Sequence, residues 1–579
     1  MDGADDVEAR IAQLRSAFGV DGYSVPRDGV IRFRDRIGLV ARHRTATNHD
    51  SGEPKRAYYV EGTPYEMGYL MGRLAEPAIQ RMTETFIDHM VHAMVRMAIR
   101  GERLDFTGVG APTLIPIHGL LIDLVHEMLR AHRVRADIPI AFHQEIRGLV
   151  AGCRDTALRE NRTTRVTEEE LWVLNAGIDC ILSRAYTGIL LPARAPRWSP
   201  KDLWIPIACN GFAILNEAAA DGALFGRDYM FPTGGVFQEV AGLIIQRPTP
   251  WCGETSLPFV SMSAPGFVGS IAAMNTRGVA AGVDIAVGAN SDPHRPGINS
   301  LLLVRDAVQH GSSAEAAVRR IIGARRGVTW NYIVADGGRP VDRACVVEAG
   351  ASIEHIPFLS YPAASMRRFL PDQQFLDDHP SEPAKNGAMV RWDQFHLPRD
   401  WIDTFNPRIW RRFRRCLHRD AFSPYGRINH TPEERNCPTG YYFAPLRGRK
   451  RNVILTTNHF VIPEMRLCSM HPWANRIFSR HHDGSQWRYD ELNRRILTTL
   501  DRRGPIDRET AKRLLCFLYP DGDYPHFYAR NPRSRDGKER LILGSTTLFD
   551  LKARIVETHY GFYNDAWVQL SLGNYVDPP

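Results

Sequence analysis

The chain has 579 residues and a mass of 65.4 kDa, is 44% hydrophobic and 24% charged, and so is neither disordered nor small enough for one ordinary core. No apolar run approaches the roughly 18 residues that a membrane helix needs, so no membrane partner is expected. A formal net charge of +8 with a pI near 9.0 admits a polyanion partner, which makes the location of the charge matter.

The opening "MDGADDVEARIAQL" is acidic and lacks the basic-then-apolar layout of a signal peptide, so a cytoplasmic location is expected. Residues 1–56 read as an N-terminal extension, helical at first and then loop-like through "TNHDSGEPKR". "AYYVEG" reads as a strand and "TPYEMGYLMGRLAEPAIQRM" as a long helix. Thr63 is a good N-cap, Pro64 suits the first helical position, and Glu66 completes a capping box. Gly68 and Gly72 lie one turn apart on one face, which predicts close approach to another element. Helices predicted at about 116–133, 138–160 and 167–184 make 57–208 a mainly helical segment.

At residue 209 the pattern changes. "FAIL" and "ALFGRDYMF" flank the turn "AADG" as a hairpin, with Cys209 at its leading edge. "AGLIIQR", "PFVSMS", "SIAAMN" and "VAAGVDIAV" follow as short strands, with "NTRG" turning between the last two. "INSLLLVRDAVQHG" and "SAEAAVRRIIG" read as helices, and "NYIVADG" and "ACVVEAG" as strands. Within the 209–579 core, residues 361–450 are Pro-, Arg- and aromatic-rich with weak periodicity, and read as an insertion. "VILTTNHF" reads as a strand, helices follow near 487–519, and "STTLFDLKARIVETHYG" and "DAWVQLSL" close the chain as an antiparallel pair. Antiparallel strands in blocks, with helices grouped between them, predict an α+β fold whose helices cover the sheet faces.

Much of the basic charge sits in "RIWRRFRRCLHR", residues 408–419, and "RGRKR", residues 447–451. The first interleaves Trp410 and Phe413 with arginines, as nucleic-acid surfaces do. Ile409, Trp410, Phe413 and Leu417 also repeat at helical spacing, the pattern of an amphipathic helix with a solvated charged face, and nucleic acid is not an expected partner. No GxGxxG follows a strand, and there is no P-loop, HExxH or GxSxG, so no cofactor is implied. His459, Cys468, His471, His481 and His482 have ligand chemistry but match no regular zinc spacing. Nine cysteines, scattered and without a CxxC pair, argue against a disulfide framework and agree with a reducing compartment. Nothing in the sequence sets the oligomeric state.

Cys209 admits two readings: core filling, since free cysteines are commonly buried, or a nucleophile. A nucleophilic thiol needs a partner base or a lowered pKa. His459 of "TTNHF" offers a papain-like Cys-His pair. Alternatively, breaking the bond before Cys209 frees its own α-amine, of pKa about 7.7–8.0, as the base. A non-catalytic, polyanion-binding protein is the third possibility.

Several segments together resemble the acyl-coenzyme A:6-aminopenicillanic acid acyltransferase-like family of N-terminal nucleophile (Ntn) cysteine hydrolases. They are "EGTPYEMGYLMGRLAE", "HQEIRGLVAGC", "ACNGFAILNEAAADGALFGRDYMF", "NTRGVAAGVD", "INSLLLVRDAVQ", "WNYIVADGGRPVDRACVVEAG", "TTNHF" and "STTLFD", in the family's order over about 57–352 and 453–572. The resemblance implies an αββα sandwich, a helical pro-segment, self-cleavage at Ala208–Cys209, and an acyl-enzyme on Cys209 formed from a small acyl-amide or acyl-thioester substrate. It places Arg227 beside the nucleophile as a fixed cation, with Asp228 the nearest carboxylate of the hairpin. Asn331 falls on an oxyanion donor, and Asn458 matches more weakly beside a structural His459. Three positions depart from the pattern. Met230 replaces a common aspartate, Asp284 stands where an asparagine usually helps form the oxyanion hole, and Ala208 precedes the nucleophile where glycine is frequent and a strained turn is expected.

Overall fold

The computed structural model describes residues 2–48, 51–87, 115–130, 136–186, 208–352 (apart from 221, 231–235, 287, 289–290 and 293), 381–392, 452–462, 465, 485–516, 541–562 and 566–576. In chain order the strands are β1 (Tyr23–Ser24), β2 (Val30–Phe33), β3 (Arg36–Thr47), β4 (Pro54–Gly62), β5 (Ala208–Leu215) and β6 (Ala223–Met230). Then come β7 (Gly242–Pro248), β8 (Phe259–Ser263), β9 (Ala272–Asn275), β10 (Val279–Ile285), β11 (Trp330–Asp336) and β12 (Arg343–Ala349). The last are β13 (Ser381–Lys385), β14 (Ala388–Trp392), β15 (Val453–Thr456), β16 (Leu541–Asp550), β17 (Ile555–Phe562) and β18 (Val568–Ser571).

These strands form two sheets. The larger runs β1-β3-β4-β7-β8-β9-β10-β11-β12-β14-β13, with β2 beside β3, and the smaller runs β15-β5-β6-β16-β17-β18. The sheets pack face to face where β5 and β6 meet β10, β11 and β12. Helices α1 (Asp2–Val20), α2 (Pro64–Arg81), α3 (Ile115–Arg130), α4 (Ile140–Arg159), α5 (Glu168–Tyr186), α6 (Ser300–His310), α7 (Ala314–Gly323), α8 (Ser485–Arg503) and α9 (Arg508–Leu515) complete the framework. Helices α6 and α7 pack on the larger sheet and α8 and α9 on the smaller, giving the expected α+β sandwich of helices, sheet, sheet, helices. Among the described residues no helix is long and apolar enough to cross a membrane.

The structure differs from the sequence reading in three places. The stretch before residue 57 is strand-rich: β3 and β4 form a hairpin, with Ile37, Leu39 and Ala41 buried between arginines that mask the alternation. Through this hairpin β4 pairs with β7 in parallel, so the larger sheet is not wholly antiparallel and contains strands from both sides of Cys209. Second, residues 381–392 of the 361–450 stretch are a hairpin whose β14 pairs with β12. The rest of that stretch, including 408–419 and 447–450, and Arg451 lie outside the described residues, as do Cys468, His471, His481 and His482. Third, the chain ends in three strands, because "STTLFDLKARIVETHYG" folds back on itself. Asp550 accepts the Ala553 N–H at 2.9 Å there, and Arg554 takes the left-handed φ of 57° that closes the turn.

The capping box of α2 is present as read, Glu66 and Thr63 bonding each other's backbone N–H. Its Gly68 and Gly72 face Gly148 and Gly152 of α4. A Cβ on Gly68 would lie 2.0 Å from the Glu145 carbonyl oxygen, and one on Gly148 would lie 2.1 Å from that of Tyr65, so neither helix tolerates a side chain at the crossing. Helix α4 is fixed to the core by Glu145, which pairs with the buried Arg305 of α6 at 2.7 Å.

Helix α5 is joined to the core by Asp179, whose carboxylate accepts the Ser300 N–H at 2.8 Å at the start of α6. Burial pushes the Asp179 carboxyl up to about 7, against the hydrogen bonds from Ser300. The folded chain therefore holds this proton more tightly than the unfolded chain, whose carboxyl titrates near 3.8. The resulting stability is complete below the unfolded value and is lost as pH rises toward about 7. Asp179→Asn should remove that loss. The variant's Tm, measured relative to the wild type, should be a few degrees higher at about pH 8 than at about pH 5.

Candidate active site

In a paired strand successive side chains point to opposite faces, and directly opposed residues share a face. Cys209 opposes Tyr229 and Gly211 opposes Arg227, so all four face the larger sheet. Asn210 opposes Asp228, and Thr546 of β16 opposes it from the other side, so these three face the helices. Asp228 accepts from Asn210 Nδ2 at 3.3 Å and from Thr546 Oγ1 at 3.1 Å. The hairpin carboxylate named in the sequence is thus on the reverse side of β6 from Cys209, because residue 228 alternates with Arg227.

The carboxylate on the site's own face comes from the larger sheet. Asp284 of β10 lies 3.0 Å from Arg227 Nη2 with both side chains buried. Arg227 also donates to the carbonyls of Asp228 and Val283. Burial is the largest influence on Asp284 and raises its pKa, with Arg227 pulling against it. The Cys209 thiol is likewise pushed up by burial, drawn down by Arg227 and raised further by Asp284. It is held as a neutral thiol, donating to the Met230 carbonyl at 3.8 Å.

The backbone of Cys209 is held as tightly as its side chain. Its N–H donates to Asn458 Oδ1 at 2.8 Å, and its carbonyl accepts from Arg488 Nη1 of α8 at 2.9 Å. Arg488 reaches Asn210 Oδ1 and Asn458 Oδ1 as well, both at 2.8 Å. Asn458 Nδ2 donates to the Ile285 carbonyl at 2.8 Å, so two donors and one acceptor fix the orientation of its amide. The Ala208–Cys209 bond occupies the first rungs of β5, opposite Met230 and Tyr229. Cys209 has no left-handed φ, and the residues leading into Ala208, where a strained turn is expected, lie outside the described residues.

Asn331 of β11 opposes Asp284 on one side and Glu348 of β12 on the other, forming a polar row toward the smaller sheet. Both amide hydrogens of Asn331 are used, one on the Thr457 carbonyl at 2.9 Å and one on the His459 carbonyl at 2.8 Å. The residue expected as oxyanion donor is thus tied through both N–H groups to the loop that carries Asn458. Glu348 holds the same loop from the backbone N–H groups of Val461 and Ile462, and is itself paired with Arg391 at 2.8 Å. His459 Nδ1 bonds the hydroxyls of Thr457 at 2.9 Å and Ser485 at 2.7 Å, while the thiol's hydrogen bond goes to the Met230 carbonyl. The structure does not bring His459 onto Cys209.

Sequence reasoning missed Arg488, Glu348 and Arg391. Glu348 left a trace, as a lone carboxylate inside the apolar strand "ACVVEAG". Arg488 left none, since it stands among the arginines of α8 and only its burial distinguishes it. Among the described residues no group of three or more His, Cys, Asp or Glu side chains could hold a metal ion.

No family model matches the chain. An uncharacterized protein of Archaeoglobus fulgidus is 28% identical over 531 residues, covering 91% of this chain and 67% of the relative. Among solved structures, a mutant and a variant of the conjugated bile acid hydrolase from Clostridium perfringens are similar at 11% and 12% identity, with TM-scores of 0.29 and 0.28. Each covers 63% of this chain, and 92% and 93% of the hydrolase respectively. Likenesses of that size speak to neither activity nor substrate.

If Asn331 positions the loop, removing it orphans two buried carbonyls, at a cost of about 1–3 kcal/mol each. Asn331→Ala should therefore lower Tm together with turnover. A rate lost at an unchanged melting temperature would return Asn331 to the oxyanion.

Proposed function

We propose that the chain is a self-processing cysteine amidohydrolase or acyltransferase of the Ntn type, acting through an acyl-enzyme on Cys209. The observation that carries this reading is the grip on the Cys209 nitrogen. A core cysteine has no need of a buried side-chain amide and a buried arginine on its own backbone, both converging at 2.8–2.9 Å. A residue whose nitrogen is to become a catalytic α-amine does need them, because Asn458 Oδ1 then aims the amine at its own thiol.

In that scheme the thiol attacks the Ala208 carbonyl, the acyl group shifts from nitrogen to sulfur, and hydrolysis of the thioester leaves residues 1–208 and 209–579 as separate chains. The freed α-amine takes the thiol proton, the thiolate attacks a small acyl-amide or acyl-thioester, and water or an amine resolves the acyl-enzyme. Arg227 stabilises the thiolate as a fixed, buried cation. The two chains remain associated because β4 is hydrogen-bonded to β7 across the cut and Glu145 is paired with Arg305. No cofactor takes part. A papain-like Cys-His pair lacks support in the site, since His459 is engaged by two hydroxyls.

Against a panel of acyl-amides and acyl-thioesters, Cys209→Ala should abolish turnover while leaving the fold intact. Cys153→Ala, at a buried position of α4, should keep turnover wherever the variant folds. Full activity in Cys209→Ala would end the proposal.

A further inference from the structure

Self-cleavage meets a difficulty that turnover does not. In the uncut chain the Cys209 nitrogen is a peptide N–H donating to Asn458, and an amide nitrogen is no base. The α-amine that serves the finished enzyme does not yet exist, so the first thiol proton must go elsewhere. The hairpin supplies no acceptor: Asp228 faces the helices, and position 230 is methionine. His459 bonds Thr457 and Ser485 through Nδ1, and the thiol bonds the Met230 carbonyl and not the imidazole ring.

Asp284 remains. Its carboxylate lies wholly buried on the site's face, ion-paired to Arg227 at 3.0 Å, yet neither oxygen makes a hydrogen bond of good geometry. Such unmet lone pairs are rare in a protein interior and mark a carboxylate open to a further donor. Resting on the self-processing reading above, we infer that Asp284 is the general base for cleavage of the Ala208–Cys209 bond, replacing the carboxylate that Met230 removes from the hairpin.

The steps balance as follows. The Cys209 S–H proton passes to Asp284, and the thiolate forms an S–C bond to the Ala208 carbonyl carbon. Protonated Asp284 now has an O–H, and no longer repels the oxyanion beside it. The C–N bond breaks as that proton passes to the Cys209 nitrogen, leaving a thioester and a free amine. Water then splits the thioester, restoring the thiol and leaving Ala208 as a carboxylate terminus. Burial makes the neutral form of Asp284 readily reached, while Arg227 of β6, the Thr456 hydroxyl of β15, Arg488 of α8 and Arg391 of β14 favour the charged form.

The test follows cleavage in a pulse of newly translated full-length chain, by gel and by intact mass. The wild type should cut, and Asp284→Asn should slow cutting about 100-fold or more. Hydroxylamine should not rescue the variant, because the thioester itself fails to form. Asp284→Glu, which keeps the carboxyl, should cut measurably faster than Asp284→Asn. If Asp284→Asn does not fold, the pH profile decides. Cutting by the wild type and Asp284→Glu should rise as the carboxyl ionises and then level off. A rate that continues to rise in proportion to hydroxide would overturn the assignment, as would Asp284→Asn cutting at the wild-type rate. A wild type that never cuts would overturn self-processing itself, a result distinct from a variant that matches a cutting wild type.

Discussion

The hydrogen bond from the Cys209 N–H to Asn458 Oδ1 is the contact around which the centre of the molecule is arranged. It joins the β5–β6 hairpin of the smaller sheet to a loop that the larger sheet holds in place. Asn331 grips that loop by the carbonyls on either side of Asn458, and Glu348 grips it by two N–H groups a few residues on. Arg488 closes the arrangement from the helix layer, bonding both the Cys209 carbonyl and the Asn458 amide. Each of these polar groups is buried, and leaving any one unmet costs about 1–3 kcal/mol. The loop therefore has one position, and so does the nitrogen it holds.

The second constraint is charge. A buried ion pair such as Arg227–Asp284 contributes little net stability, because desolvation offsets most of its attraction. Its value here is chemical. With Asp284 nearby, Arg227 does not leave the site with an uncompensated charge, and the thiol stays protonated until a base is ready. Burial raises the pKa of both Cys209 and Asp284 and so favours the neutral form of each.

Most of the elements were legible in the sequence because their signals are local. The capping box at Thr63, the glycine spacing of α2 and the β5–β6 hairpin each depend on neighbours a few residues apart. Cys209 drew attention through its place at the start of that hairpin. What stayed hidden depended on distant partners. The parallel pairing of β4 with β7 joins residues more than a hundred positions apart, and nothing in either strand specifies it. Asp228, the hairpin carboxylate nearest in sequence, faces away from Cys209 because on a pleated strand the next residue points to the other side. For Asn331, only the structure shows where its two N–H groups go.

The central claim is that Cys209 becomes a chain terminus, and N-terminal sequencing of the purified, active protein tests it most directly. The account predicts a chain beginning Cys-Asn-Gly-Phe, recovered in equal amount with a chain that carries the original N-terminus. Active protein that yields no such sequence, and whose mass is that of the intact 65.4 kDa chain, would contradict it.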